Sequence, residues 1–299
     1  MDSAVDSGED AHAPAPPPRR RVRVSARSRR TAIVTAILAI GIVGYVTLLM
    51  RFDVFERPSE QSLGAAAGEA GIALYVQPIT IDPVNDSMQI RINVLSNEGT
   101  PDRDLTLIVR HGSEAEKIPV TANQARPEAT VAVDLNDGSI HNYPLDRYTS
   151  DIDLSCIDTG SNAAVPIRIT NWEGILGYTV RARLMAPPQG NDIRIRFSIH
   201  RTGAIKFFAV AAYGAMVVMA ISALTVATLV FVGFRKIEVT LMGAVGAIVF
   251  ALPALRNALP GAPPLGVSAD ITIFFWAEFS AVIALGLFVA AWARHGPKP

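Results

Sequence analysis

The apolar positions of this chain follow two rhythms. Ala32 to Met50 reads AIVTAILAIGIVGYVTLLM without a charge, and three more long apolar runs come late, at Phe207–Phe234, Ile237–Leu255 and Ile271–Ala293. At about 1.5 Å per residue the first run reaches roughly 28 Å, close to the hydrocarbon thickness of a bilayer. Each run therefore predicts a transmembrane helix. Between the first and second runs the rhythm changes to alternation with a period of two, in IALYVQPITI, SMQIRINVLS, LTLIVRH, ATVAVDL, YTSDIDLSCI, VPIRITNWE, YTVRARLMA and DIRIRFSIH. Such segments, rich in Val, Ile and Thr, read as strands. Their separators DPVNDS, NEGTPDR, NDGS, DTGSN and PPQGN are turn formers.

The fold expected is four transmembrane helices plus an all-β extracytoplasmic sandwich of about eight strands. The expected order is a disordered basic tail over 1–30, a helix over 31–50, a linker over 51–70 and the sandwich over 71–205. Helices over 206–234 and 237–255, an outer loop over 256–270, a helix over 271–293 and a short tail over 294–299 complete it. The last strand runs into the second helix through TGAIK, a connection short enough to carry movement between them.

Flanking positive charge sets the expected direction. Arg19, Arg20, Arg21, Arg23, Arg27, Arg29 and Arg30 precede the first run, Arg235 and Lys236 lie between the second and third, and Arg294 and Lys298 follow the fourth. Both termini are expected in the cytoplasm, with residues 51–206 outside a plasma membrane. A signal peptide is the competing reading of the first run. Its apolar run is longer than an ordinary signal core, and RFDVFERP offers no small-x-small cleavage site, so an uncleaved anchor is expected.

The chain has 27 basic and 27 acidic residues, so net charge selects no partner. Acidic residues outnumber basic ones between Arg51 and Lys206, which argues against nucleic acid or anionic lipid as a ligand. Cys156 is the one cysteine, so the external domain must rely on core packing, and this thiol reads as a small buried side chain. Residues 1–18 are acidic and then Pro-rich, the composition of a disordered segment.

Enzyme signatures are missing: there is no HExxH, GxSxG, Walker loop or GxGxxG. No catalytic residue, cofactor or metal is assigned. Asp134, Asp137, Asp151, Asp153 and Asp158 form an acidic group that reads as a solvated strand face with turns. Three features carry more weight. Tyr143, Pro144 and Asp146 form an aromatic-proline step that can adopt cis in a tight turn, with a carboxylate to bond nearby amides. Glu278 is an acid inside the last span, where a carboxylate needs a partner, a proton or water, and Arg256 is the basic residue considered for it. The third span is built from small residues, which suit close helix packing. Alternatively Glu238, Thr240, Ala244, Ala247 and Ala251 fall near one face and line a pore.

The one-plus-three span layout, YPLDRY (143–148) and LPGAPPLGVSAD (259–270) resemble a family of uncharacterised actinobacterial membrane proteins, grouped as a domain of unknown function. That resemblance covers nearly everything after Arg30 and implies fold and location. A more distant one, over 71–293, is to the pentameric ligand-gated ion channels. It rests on YPLD in place of a YPFD-type loop, a last strand leading into a helix, a short inner turn and a helix beginning EVTL at Glu238. It implies that Tyr143–Asp146 touches the membrane domain and that the third span lines a pore. The chain departs from that pattern at Tyr148, where a Gln is usual. It also lacks the loop disulfide and a proline in the second span, and no fourth channel helix follows the last span.

The function expected is that of a non-enzymatic multi-pass membrane protein whose external sandwich binds an envelope protein or a small ligand. Its other partners are the lipid bilayer and, in the alternative, further copies of itself as a homo-oligomeric cation channel.

Overall fold

A computed structural model describes residues 26–295 apart from 56, 58, 65–71, 96–102, 124–127, 173 and 186–191. The N-terminal tail before residue 26, the C-terminal residues from 296 and most of the Ala-rich stretch after Leu63 lie outside the described residues. Residues 1–48 form one unit and 49–299 another. The first is described by helix α1 (Ala26–Arg51), which takes up the last residues of the expected basic tail.

The second unit begins with strands in two sheets. Strands β1 (Glu60–Gly64), β2 (Ile72–Asp82), β3 (Ser87–Leu95), β6 (Glu128–Asp134) and β8 (Ile167–Trp172) make one sheet in the order β1-β8-β2-β3-β6. Strands β4 (Leu105–His111), β5 (Glu114–Val120), β7 (Arg147–Asp158), β9 (Gly174–Ile175), β10 (Tyr178–Leu184) and β11 (Ile193–Arg201) make the other in the order β5-β4-β7-β11-β10-β9.

Eleven strands among the described residues replace the eight or so expected, and the strand order is not that of a simple sandwich. Glu114–Val120, outside the expected strands, forms the edge strand β5, and Glu60–Gly64, read as linker, pairs antiparallel with β8. Such edge segments need only one neighbour, so backbone pairing makes them strands without an apolar period. β2 and β8 run parallel although Ile72 and its partner Ile167 lie far apart along the chain, a pairing that no local pattern announces.

Alternation decides which side chains meet. β2 turns Ile72, Leu74 and Val76 inward, β7 Tyr148, Ile152, Leu154 and Cys156, and β11 Ile193, Ile195, Phe197 and Ile199, and all join one core that draws on both sheets. Cys156 is wholly buried there, and burial pushes its thiol up to about 11.

β11 ends at Arg201, and helix α2 (Gly203–Phe231) starts two residues later. A Cβ on Gly203 would collide with the backbone of Phe52 and Asp53, so glycine permits this close approach. Helix α3 (Val239–Asn257) follows, then a π-helical turn (Asp270–Phe274) that leads into α4 (Phe275–His295). With α1 these make four helices long and apolar enough to cross a membrane. Ala212, Met216, Ala220, Ala223 and Ala227 on α2 and Ala277, Ala281, Ala284 and Ala291 on α4 are buried at spacings of three, four and seven residues. The close-packing alanines thus lie on α2 and α4, where small side chains let backbones approach. On α3, by contrast, the buried residues are Val245, Leu252 and Arg256.

Candidate functional site

A group of buried polar side chains sits where strands give way to helices. Period two along β11 puts residues 193, 195, 197, 199 and 201 on the inner face, so the last inward position holds an arginine. Arg201 is 1% exposed. Its Nε donates to Asp146 Oδ1 at 2.7 Å and Oδ2 at 3.0 Å, and Tyr148 donates its hydroxyl to Oδ2 at 3.0 Å. The guanidinium carbon lies 4.6 Å from the centre of the Tyr143 ring and 4.9 Å from that of Tyr178, both distances at which a cation is attracted to an aromatic ring. Arg201 Nη2 has no acceptor among the described residues.

The loop ahead of β7 supplies the other half. Ser139 caps a 3-10 turn over Ile140–Asn142, and the Tyr143–Pro144 peptide that follows is cis. Tyr143 turns inward, donates to the carbonyl of Pro260 at 3.0 Å and packs with Ala209, Tyr213, Leu252, Leu259 and Phe274 of the helical unit's core. Gly261, at φ +78°, presses against this group: a Cβ there would lie 2.6 Å from Arg201 Nη1. Burial raises the hydroxyls of Tyr143 and Tyr178 to about 12, against the opposing pull of Arg201. Tyr148 is raised further by burial and by the charge of Asp146.

A second network lies just beneath. Arg256 donates to Asp270 Oδ2 at 2.6 Å and Oδ1 at 3.2 Å and to the carbonyls of Pro263 and Pro264 at 3.0 and 2.9 Å. Tyr213 donates to Asp270 Oδ1 at 2.8 Å, and the amide of Gly266 to Oδ2 at 3.1 Å. One bidentate pair thus folds the loop between α3 and α4 back on itself. Arg256 is the basic residue considered for Glu278; its partner is instead Asp270, fourteen residues on, because the proline-rich loop returns the chain to the helix it left. Glu278 Oε2 is shielded and has no hydrogen-bond partner among the described residues.

The candidate residues of α3 stand apart from both networks. Glu238, Thr240, Ala244, Ala247 and Ala251 are all exposed in this chain, uncovered by α2 and α4. The acidic group is spread along strands and turns. Asp151 and Asp153 form bidentate pairs with Arg196 and Arg194, which hold both carboxyls below the usual carboxylate range. Asp158 accepts the amides of Gly160 and Ser161, and Asp137 accepts from Thr149.

Two family models match the chain, each described as a domain of unknown function. DUF4436 covers residues 62–198 and DUF8686 residues 201–295. No curated protein matches it. The seam between the two matches falls in β11 just ahead of Arg201, so the Asp146–Arg201 pair ties one matched region to the other. Arg201, Tyr178, Tyr213 and Asp270 carry no weight in the sequence reading. The signal for Arg201 lay in the phase of IRIRFSIHR, where an inward position falls on a charge; nothing local singles out Asp270.

Proposed function

We propose that this chain is a non-enzymatic multi-pass plasma-membrane protein in which an external β-sandwich, binding a partner or small ligand of the cell envelope, passes strain to the helices at the Arg201 junction. The observation that carries this reading is the buried Asp146–Arg201 pair. One ion pair holds the loop before β7 to the strand that enters α2, with Gly261 of the α3–α4 loop packed against it. A movement of the adjoining ends of β7 and β11 must shift the guanidinium, and the close-packed Tyr143, Pro260 and Gly261 must follow, because packed interiors repack rather than yield gradually. In this reading both termini are cytoplasmic and residues 51–206 external, on the arginine distribution.

The test is hydrogen exchange on the full chain in lipid nanodiscs. Asp146→Asn should speed exchange in 256–270 as well as around residue 201, while β3 in the distant sheet keeps its protection. Exchange confined to the 201 region would remove the relay.

One observation favours the channel alternative. Tyr143 reaches the Pro260 carbonyl, the contact that the resemblance to pentameric ligand-gated channels implies for this loop. The exposed face of α3 is also free to meet further copies. Mass photometry in nanodiscs decides: a defined pentamer supports the pore reading, and a monomer or dimer removes it.

A further inference from the structure

Five turns at the helix-proximal end of the strand-rich part each carry a large apolar residue that faces outward. Leu176, in the turn between β9 and β10, is 99% exposed. Its position is set by the pairing of Tyr178 with Arg201, by the bond from the Thr202 amide to the Gly177 carbonyl, and by the approach of Gly177 to Ile205 in the first turn of α2. Leu145 is exposed between Pro144 and Asp146, beside the Tyr143 that bonds the α3–α4 loop. Leu265 is exposed within that loop, next to the Gly266 amide bound by Asp270. Phe55 follows the Phe52–Asp53 backbone against which Gly203 packs. Val84 tips the β2–β3 turn, whose Asp86 carbonyl accepts from the Leu135 amide next to the Asn136–Thr149 bridge at the start of β7.

All five therefore lie level with the point where an apolar helix begins. Folded domains rarely leave large apolar side chains bare on successive loops unless something apolar covers them. Buried strand positions alternate with outward ones, so these turns were free to carry polar residues at no cost to the core. At the opposite end Asp158, Gly160, Ser161 and Asn162 form the turn after β7, and Leu184 and Met185 at the end of β10 are only 39% and 42% exposed.

We propose that Phe55, Val84, Leu145, Leu176 and Leu265 form an apolar collar that dips into the lipid interface around the entry of α2, so that the bilayer surface is itself a binding partner of the strand-rich domain. The inference rests on the membrane-spanning reading above. Continuity is the reason for lipid rather than protein: exposed Phe208 and Val218 on α2 extend the same apolar surface downward from the collar. Aliphatic tips at the boundary of headgroups and acyl chains gain by burial without crossing. They would also hold the Arg201 junction at a fixed depth, making it sensitive to lipid packing.

The test uses nitroxide spin labels on the full chain in nanodiscs of phosphatidylcholine and phosphatidylglycerol, at Leu176→Cys, Leu145→Cys, Val218→Cys within α2 and Ser161→Cys at the far turn. The buried Cys156 stays in place. Collision with oxygen relative to a water-soluble nickel chelate should be about threefold or more higher at 176 and 145 than at 161, approaching the value at 218. Water-like values at 176 and 145 with a lipid-like value at 218 overturn the collar and leave the spans standing. A water-like value at 218 as well overturns both.

Discussion

Arg201 shows how one side chain joins two kinds of structure. Removing one partner of a buried ion pair leaves the other charge without compensation, which costs about 3–5 kcal/mol. Arg201→Gln should therefore destabilise the protein by that amount in thermal unfolding, whereas Tyr148→Phe, which removes one of several bonds to Asp146, should cost about 1 kcal/mol. Gly261 belongs to the same group, since its left-handed φ and its contact with the guanidinium both exclude a side chain. The tyrosines add a pH dependence. Tyr143 has its hydroxyl raised from 10.0 to about 12, so the folded state holds that proton more tightly than the unfolded chain. Its contribution is complete below pH 10 and is lost as pH rises toward 12. Urea unfolding at stepped alkaline pH should show stability falling through that window, with a shallower fall in Tyr143→Phe. Tyr143, Pro144 and Asp146 were legible as a short motif, and what they touch was not. Their partners, Pro260 and Arg201, lie 117 and 55 residues from Tyr143 and Asp146 respectively.

Among the elements, the helices were read from composition with ends shifted by a few residues, because apolar length is a local property. Their packing was not. The small residues of α3 drew attention, yet the alanines of α2 and α4 make the close contact, and which face turns inward depends on the neighbour it meets. The head of α4 is a π turn, where one wider turn lets Asp270 point back at Arg256 while Phe275 onward continues as an ordinary helix. Two substitutions separate the acids of this region. Arg256→Gln should cost about 3–5 kcal/mol, because Asp270 would stay buried against Tyr213 alone of the side chains. Glu278→Gln should change stability by no more than about 1 kcal/mol, since no hydrogen bond to Oε2 is lost. A large loss in Glu278→Gln, measured by thermal unfolding in nanodiscs, would assign that carboxylate a partner.

At the scale of the molecule the proposed topology has a direct check. A cysteine placed at Ala262, in the exposed α3–α4 loop, should react with an impermeant maleimide on intact cells, and labelling only after permeabilisation would invert the orientation. The sequence by itself determined the helices and most of the strands. Both follow from periodicity, and periodicity is what a single segment needs in order to bury one face or to cross a bilayer. It also placed Tyr143–Asp146 between strands and Glu278 inside an apolar helix. The tertiary structure alone decided that β1 and β5 pair as edges, that β2 and β8 run parallel, and that Arg256 binds Asp270 rather than Glu278. It alone brought Asp146, Arg201, Tyr143 and Gly261 together. Such partners are chosen by chain return and by the cost of leaving a buried charge alone, and neither is written in the residues next to them.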